Sequence, residues 1–224
     1  MLLKTIAHIE TCFPTKFGIP RQAGIVDTPG RIVFEPEYRV AEAVRGLDGF
    51  DYIWLIWQFS EAVRNDWSPT VRPPRLGGNE RIGVFATRSP FRPNPIGLSS
   101  VRLLRVEQDT QIGPVLYVRG ADLMDGTPIY DIKPYLPYAD SHPDARSGFA
   151  TQPAERLMKV MCPSELLHQL PAELQQPLLD VLAHDPRPQY QHDPDRIYGM
   201  AFNKYEVRFR ANDTQIIVVE ILHV

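Results

Sequence analysis

The apolar run YIWLIWQF, residues 52–59, decides the fold class of this 224-residue chain. It falls well short of the roughly 20 apolar residues that a helix needs to span a bilayer. A short, continuous apolar run is typical of a strand that is buried on both faces. Trp54 and Trp57 are therefore predicted to be core aromatics, and only the exit at Ser60 and Glu61 is expected to lie at a rim.

Further segments on both sides of this run also have the pattern of short strands: residues 31–36, 81–87, 100–106, 115–120 and 128–133. Glycine and proline separate them, and short strands at this spacing are typical of a sandwich or a barrel. One short helix is predicted over YRVAEAVR, residues 38–45, between Pro36 and Gly46. This part of the chain is predicted to be mainly β.

The composition changes over residues 138–155, which are rich in small and polar side chains and predict a connection between domains. Beyond it, residues 164–170 and 172–184 have a helical pattern, with Ser164 as the expected cap. Two alternating runs around Asn212 and Asp213 indicate a hairpin. We therefore predict a β-rich N-terminal domain over residues 3–142 and a small α+β C-terminal domain over residues 150–224.

The overall charge excludes a generally basic protein that coats nucleic acid. The formal net charge is -3 and the pI is near 6.1, so binding of a polyanion requires a local basic patch. Cys12 and Cys162 are too few and too far apart for a disulfide framework or a zinc cluster. The histidines show no metal-binding spacing, and no metal site is predicted. The start of the chain lacks the pattern of a secretory signal, which predicts a cytoplasmic location.

The local basic patch lies between Ser68 and Pro95. This segment contains six prolines and five arginines against one acidic residue, Glu80. Two Pro-rich loops, residues 68–79 and 87–95, flank the predicted strand RIGVFAT. Proline stiffness lowers the entropy lost when a loop binds a ligand, and guanidinium groups suit phosphates and carboxylates. Each residue taken alone is also explained as a solvated turn residue, whereas the group predicts an anion-binding rim.

A second polar motif is DLMDGTPIYDIKPY, residues 122–135. Asp125 and Gly126 indicate a turn, and Asp122 and Asp125 could cap that turn as purely structural residues. The alternative is functional, because paired carboxylates beside a cationic patch suit a ligand that has hydroxyls and a positive centre.

Three segments resemble the TsaA-like family and, within it, the bacterial TrmO-type enzymes. They are IPRQAG at 19–24, TVRPPRLGGNERIGVFATRSPFRPNPIGLS at 70–99 and DLMDGTPIYDIKPYLPYADS at 122–141. The resemblance implies an antiparallel β-barrel, a homodimer and use of S-adenosylmethionine. It also implies methylation of N6 of threonylcarbamoyladenosine at position 37 of tRNA, in the anticodon loop. By match, the cofactor contacts fall on Gln22, Ala23, Gly24, Ser60, Glu61, Arg88, Leu98, Asp122, Leu123, Met124 and Asp125.

One departure from the family affects the chemistry, because Ser60 stands where relatives usually have a histidine. A proton acceptor for the N6 proton must then come from elsewhere, and we predict Asp125 and Asn94 as the catalytic residues. Arg72, Arg75 and Arg92 are predicted to contact the tRNA backbone. Two alternatives remain open, a non-catalytic RNA-binding module and a methyltransferase that acts on another nucleoside or a small molecule.

Overall fold

The computed structural model describes residues 2–62, 66–73, 76, 80–150, 157–187 and 193–224. Its strands are β1 (Ala7–Thr11), β2 (Pro29–Phe34), β3 (Tyr52–Gln58), β4 (Thr70–Val71), β5 (Ile82–Gly83), β6 (Ile96–Asp109), β7 (Gly113–Arg119), β8 (Thr127–Pro134), β9 (Lys159–Met161), β10 (Tyr198–Phe202), β11 (Tyr205–Ala211) and β12 (Gln215–His223). Its α-helices are α1 (Pro137–Asp140), α2 (Ser164–Leu167) and α3 (Ala172–Ala183).

The first part of the chain closes into a barrel with the strand order β1-β2-β7-β6-β3-β8, in which every neighbouring pair is antiparallel. Strand β3 shows why these residues form it. Ile53, Leu55 and Trp57 alternate into the barrel core and are buried, while the residues between them are partly exposed. This period of two is the pattern of a strand with one face in a core. The expectation that both faces are buried is therefore wrong, and so is that of a core position for Trp54, which is partly exposed and lines a cavity. The predicted mainly β class is confirmed.

Three chain connections meet at one end of this barrel, here called the barrel mouth. The register pairs Thr11 with Gly30, Arg119 with Pro29, and Gln58 with Ile96. The β1–β2 loop, the β7–β8 bend and the long β3–β6 connection therefore leave the barrel on the same side. The Pro-rich and Arg-rich segment and the aspartate bend, far apart in sequence, are thereby brought together.

The C-terminal part forms a second sheet with the order β10-β11-β12-β9, in which β9 pairs parallel to β12. Helix α3 packs Leu174, Leu178 and Val181 into the core of this part, as their spacing predicts. The same core includes Cys12 and Phe13 from the β1–β2 loop. The hairpin predicted around Asn212 is confirmed, since its Oδ1 accepts from the amides of Thr214 and Gln215, both at 2.9 Å.

Some predicted elements differ from the structure. The segment RIGVFAT forms only the two-residue strand β5 and then a 3-10 turn at Val84–Ala86. The predicted helix over residues 38–45 is instead short 3-10 turns at Pro36–Tyr38 and Ala41–Val44. Ser164 begins α2 but makes no capping bond, and Pro163 occupies the cap position. No helix among the described residues is long and apolar enough to cross a membrane.

Candidate functional site at the barrel mouth

A cavity of about 770 Å³ opens at the barrel mouth. Its lining combines the three connections: Gln22 comes from the β1–β2 loop, Arg88 from the Pro-rich rim and Asp122 from the β7–β8 bend. This volume lies within the range of roughly 300–1,000 Å³ that is usual for small-molecule sites. Of the residues predicted to contact cofactor, those that line the cavity are Gln22, Ser60, Glu61, Arg88, Leu98, Asp122 and Met124.

A chain of hydrogen bonds fixes the Asp122 carboxylate in the cavity wall. The indole N–H of Trp57 donates to Ser99 Oγ at 3.0 Å, and the Ser99 hydroxyl donates to Asp122 Oδ1 at 2.6 Å. Burial raises the pKa of Asp122, and bonds from Ser99 and the Ala23 amide, with the charge of Arg88, act against that rise. The carboxylate is therefore a partly desolvated negative group that a cationic or hydroxyl-bearing ligand would satisfy.

Arg88 supplies the opposing charge at the rim. Its Nη1 donates to Gln22 Oε1, which links the Pro-rich rim to the β1–β2 loop across the mouth. The guanidinium is otherwise exposed and lines the cavity. The mouth therefore presents the Arg88 guanidinium at the rim and the Asp122 carboxylate deeper in the wall, and its lining includes apolar side chains such as Leu98 and Met124.

Several predicted cofactor residues are not in the cavity lining. The main-chain amide of Ala23 donates a hydrogen bond to the Asp122 carboxylate. The Gly24 amide donates to Gly120 O at 2.8 Å. Leu123 is fully buried in the barrel core. These residues support the bend and its neighbouring loop, and their contacts to the cofactor stay predictions.

The two predicted catalytic residues also lie outside the lining. Asp125 is exposed, and its Oδ1 accepts from the Thr11 amide at 2.9 Å, which ties the bend to the end of β1. Asn94 is exposed, and its carbonyl accepts from the Ile96 amide at 2.8 Å at the start of β6. Their catalytic roles stay predictions.

The three arginines predicted to contact tRNA differ in their position relative to the cavity. Arg92 lines the cavity, and its Nη1 donates to the carbonyls of Thr87 at 2.8 Å and Ser89 at 3.3 Å, so it also braces the rim. Arg72 is exposed. Arg75 lies outside the described residues, as do residues 77–79 of the first Pro-rich loop.

Among the polar residues of the site that sequence reasoning missed are Lys16, Gln58 and Ser99. Lys16 lines the cavity and donates to the carbonyl of Glu61, and Gln58 lines it while accepting from the Tyr130 hydroxyl at 2.6 Å. Ser99 is missed because only the register of β6 against β3 places its hydroxyl between Trp57 and Asp122. No group of three metal-ligating side chains occurs in the part of the chain that the structure describes.

This architecture is that of a β-barrel protein with a ligand-sized cavity at the barrel mouth, whose lining contains side chains of opposite charge. Two family models match the chain, the tRNA-methyltransferase O N-terminal domain over residues 8–141 and the TrmO C-terminal domain over residues 155–224. The chain belongs to the TrmO family.

Similar proteins agree with this assignment. A tRNA (adenine(37)-N6)-methyltransferase of Escherichia coli is 43% identical over 219 residues, which cover 93% of this chain and 92% of that protein. A putative S-adenosylmethionine-dependent methyltransferase of Pseudomonas aeruginosa is 41% identical, covering 87% of this chain and 86% of that protein. A crystal structure of TrmO from Pseudomonas aeruginosa matches with a TM-score of 0.78 at 32% identity, covering 99% of this chain and 98% of that chain.

Proposed function

We propose that this chain transfers a methyl group from S-adenosylmethionine to N6 of threonylcarbamoyladenosine at position 37 of tRNA. The observation that supports this most strongly is the meeting of the Pro-rich, Arg-rich rim and the aspartate bend around one cavity in a member of the TrmO family. Methyl transfer requires an in-line approach of the nitrogen, so positioning supplies much of the catalysis.

The residues at the barrel mouth fit the proposed cofactor. The cavity has room for a nucleoside and its side chain, and its wall contains the partly buried carboxylate of Asp122. When bound, the cofactor would supply an electrophilic methyl group on a positively charged sulfur. Asp122 would accept bonds from hydroxyls or oppose the positive charge, and Arg88 would hold a carboxylate.

The protein itself orients the ligand and excludes water from one side of it. Trp57 is buried beneath the site and holds Ser99, so the position of Asp122 is set by a rigid aromatic ring. The loss of the N6 proton requires an acceptor, and the residues proposed for this step are Asp125 and Asn94. The Asp125 carboxylate is exposed, and its bond from the Thr11 amide fixes its direction at the bend.

The remaining parts of the proposal concern partners and organisation. Arg72, Arg75 and Arg92 contact the tRNA backbone near the anticodon loop, which predicts that affinity falls steeply as salt is raised. The enzyme acts as a homodimer in the cytoplasm. The chain is divided into a cofactor-binding domain over residues 3–142 and a small α+β C-terminal domain over residues 150–224.

Mass spectrometry of tRNA nucleosides tests the proposal directly. Substrate tRNA that contains threonylcarbamoyladenosine is incubated with the protein and S-adenosylmethionine and then digested. The proposal predicts a methylated form of that nucleoside, and its absence under saturating cofactor would reject the proposed reaction. Thermal-shift titration with S-adenosylmethionine separates the alternatives, since a non-catalytic RNA-binding module would show no saturable stabilisation. Methylation of a different nucleoside would support the other alternative.

A further inference from the structure

Two large aromatic side chains stack on each other at the protein surface beside the cavity. The rings of Trp67 and Phe85 have centroids 6.1 Å apart and planes inclined by 24°. Their exposures are 49% for Trp67 and 71% for Phe85, which is high for residues of this size. Neither residue lines the cavity or belongs to either of the two hydrophobic cores. We call this pair the aromatic platform.

The platform is held by a small ribbon. Strands β4 and β5 pair Thr70 with Gly83 and Val71 with Ile82, and the Val84 amide donates to Pro69 O at 3.0 Å. Trp67 precedes β4 and Phe85 follows β5, so the ribbon brings both rings to the same end. Because the backbone is fixed by these bonds and by Pro69, little entropy is lost when a ligand stacks on the rings.

A guanidinium connects the platform to the cavity. The Arg92 Cζ atom lies 5.8 Å from the centroid of the Phe85 ring, and Arg92 itself lines the cavity. Its bonds to the carbonyls of Thr87 and Ser89 fix its direction. Arg81 is also close, since its Nε donates to Thr70 Oγ1 at 2.9 Å. Arg81 and Arg92 therefore place two guanidinium groups near the platform, and the same segment also contains exposed carboxylates at Asp66 and Glu80.

We propose that the aromatic platform stacks an unpaired base of the substrate RNA, a base that flanks the nucleotide in the cavity. This inference rests on the proposed function. A base that enters a cavity loses its stacking with its neighbours, and an aromatic surface at the cavity mouth replaces that stacking. Flat aromatic rings next to guanidinium groups are the combination that binds single-stranded nucleic acid without reading sequence.

Substitutions at Phe85 test the platform, because this residue is largely exposed and its truncation leaves the core intact. The affinity for an anticodon stem-loop is measured for the wild type and for Phe85→Ala, Phe85→Leu and Phe85→Tyr. Stacking predicts that Phe85→Ala weakens binding by roughly tenfold or more. Phe85→Tyr should bind like the wild type, and Phe85→Leu should resemble Phe85→Ala, because leucine keeps apolar bulk but has no aromatic face.

Salt dependence and cofactor binding distinguish stacking from other causes. Phe85→Ala should shift the plot of log affinity against log salt downward without changing its slope, because no phosphate contact is removed. Binding of S-adenosylmethionine should be unchanged. Tyr138→Ala is the matched control, since Tyr138 is 87% exposed and lies on α1, outside the platform and the cavity lining. It should leave RNA affinity unchanged.

Three results would overturn the inference. The first is that Phe85→Leu binds RNA as tightly as the wild type, and the second is that Phe85→Ala and Tyr138→Ala lose equal RNA affinity. The third is a change of oligomeric mass in Phe85→Ala, which would show that the platform forms a contact between protein chains. Failure of the proposed function looks different, because the wild type itself would then leave tRNA unmodified. A wild type that methylates tRNA beside an unaffected Phe85→Ala variant rejects the platform alone.

Discussion

The indole of Trp57 lies directly on Gly97, its register partner in the β3–β6 pair. A Cβ atom at position 97 would stand 2.2 Å from Cε2 of the indole, closer than any real contact. The same indole donates to Ser99, which in turn donates to Asp122. The absence of a side chain at Gly97 therefore determines where the ring lies and, through it, where the carboxylate of the site stands.

Gly97→Ala should damage both the barrel and the site. The added methyl group must displace the buried indole, and overpacking of this kind costs about 1–3 kcal/mol. We expect the free energy of unfolding to fall by that amount in a urea titration. We also expect weaker binding of S-adenosylmethionine in isothermal titration, because Ser99 and Asp122 lose their support.

Gly49→Ala is the control for this variant, because a Cβ atom at Gly49 meets no atom within 4 Å. Its urea midpoint and cofactor affinity should match those of the wild type. If Gly97→Ala behaved like Gly49→Ala in both measurements, the ring would not be the support of the site.

Asp122→Asn should separate stability from binding. Burial raises the pKa of Asp122, so the folded state holds this proton more tightly than the unfolded chain does. The contribution of Asp122 to stability is therefore greatest below its ordinary pKa of 3.8 and falls as the pH rises through the raised value. At neutral pH the asparagine variant avoids the buried charge and should have a higher urea midpoint than the wild type.

The same substitution should weaken cofactor binding by roughly tenfold or more, since bonds to a charged group are worth about 1.5–3 kcal/mol. Wild-type affinity should rise with pH as Asp122 ionises, and the variant should show a flatter profile. Isothermal titration over a pH series measures both. A variant that bound as tightly as the wild type, with the same pH profile, would remove Asp122 from the site.

The strands and the hairpin could be predicted because their patterns are local. Strand β3 follows from a short apolar run, and the hairpin at Asn212 follows from two alternating runs around turn residues. The predicted helix over residues 38–45 fails because eight residues are too few for a stable isolated helix, and among the residues of its two 3-10 turns only Val44 is buried. RIGVFAT fails as a long strand because β4 offers a partner of only two residues.

The sequence motifs of the site could be predicted from their residue types, but the contacts inside the site could not. Arg88 and Asp122 belong to segments whose residue types indicate an anion-binding rim and a carboxylate bend, and both line the cavity. Asp125 has the same residue type as Asp122, but its bond to the Thr11 amide depends on where β1 ends, a relation between distant parts of the chain. The role of Ser99 likewise depends on strand register.

Arg187→Ala should destabilise the C-terminal sheet strongly. The Arg187 side chain is 5% exposed, forms an ion pair with Asp185 and donates to the carbonyls of Ala211 and Asn212 at 3.1 and 2.9 Å. Its removal leaves the two carbonyls without this donor and leaves Asp185 with only the main-chain amide of residue 187. Breaking a buried pair costs about 3–5 kcal/mol, and we expect the lower end because the Asp185 side chain is 28% exposed. Chemical denaturation should show the loss.

Arg208→Ala provides the comparison, because Arg208 pairs with Glu206 and Glu220 while its side chain remains 42% exposed. Exposed ion pairs are worth about 0–1 kcal/mol, so this variant should change stability little. Similar losses for the two variants would contradict the account of Arg187.

Cys12 should be chemically inert in the folded protein. Burial raises the pKa of its thiol to about 12, so almost none of the reactive thiolate exists near neutral pH. Thiol titration with a chromogenic disulfide should label Cys12 only after denaturant is added, whereas the half-buried Cys162 should react in the native state. Rapid labelling of Cys12 in the native protein would show that the β1–β2 loop opens and exposes the thiol.

The cavity between Arg88 and Asp122 at the barrel mouth is the proposed cofactor site. A crystal structure of the protein with S-adenosylhomocysteine would show whether the cofactor binds there. We expect density for the nucleoside in this cavity, with Asp122 and the rim in contact with it. Density elsewhere, for example on the C-terminal sheet, would exclude this cavity as the cofactor site.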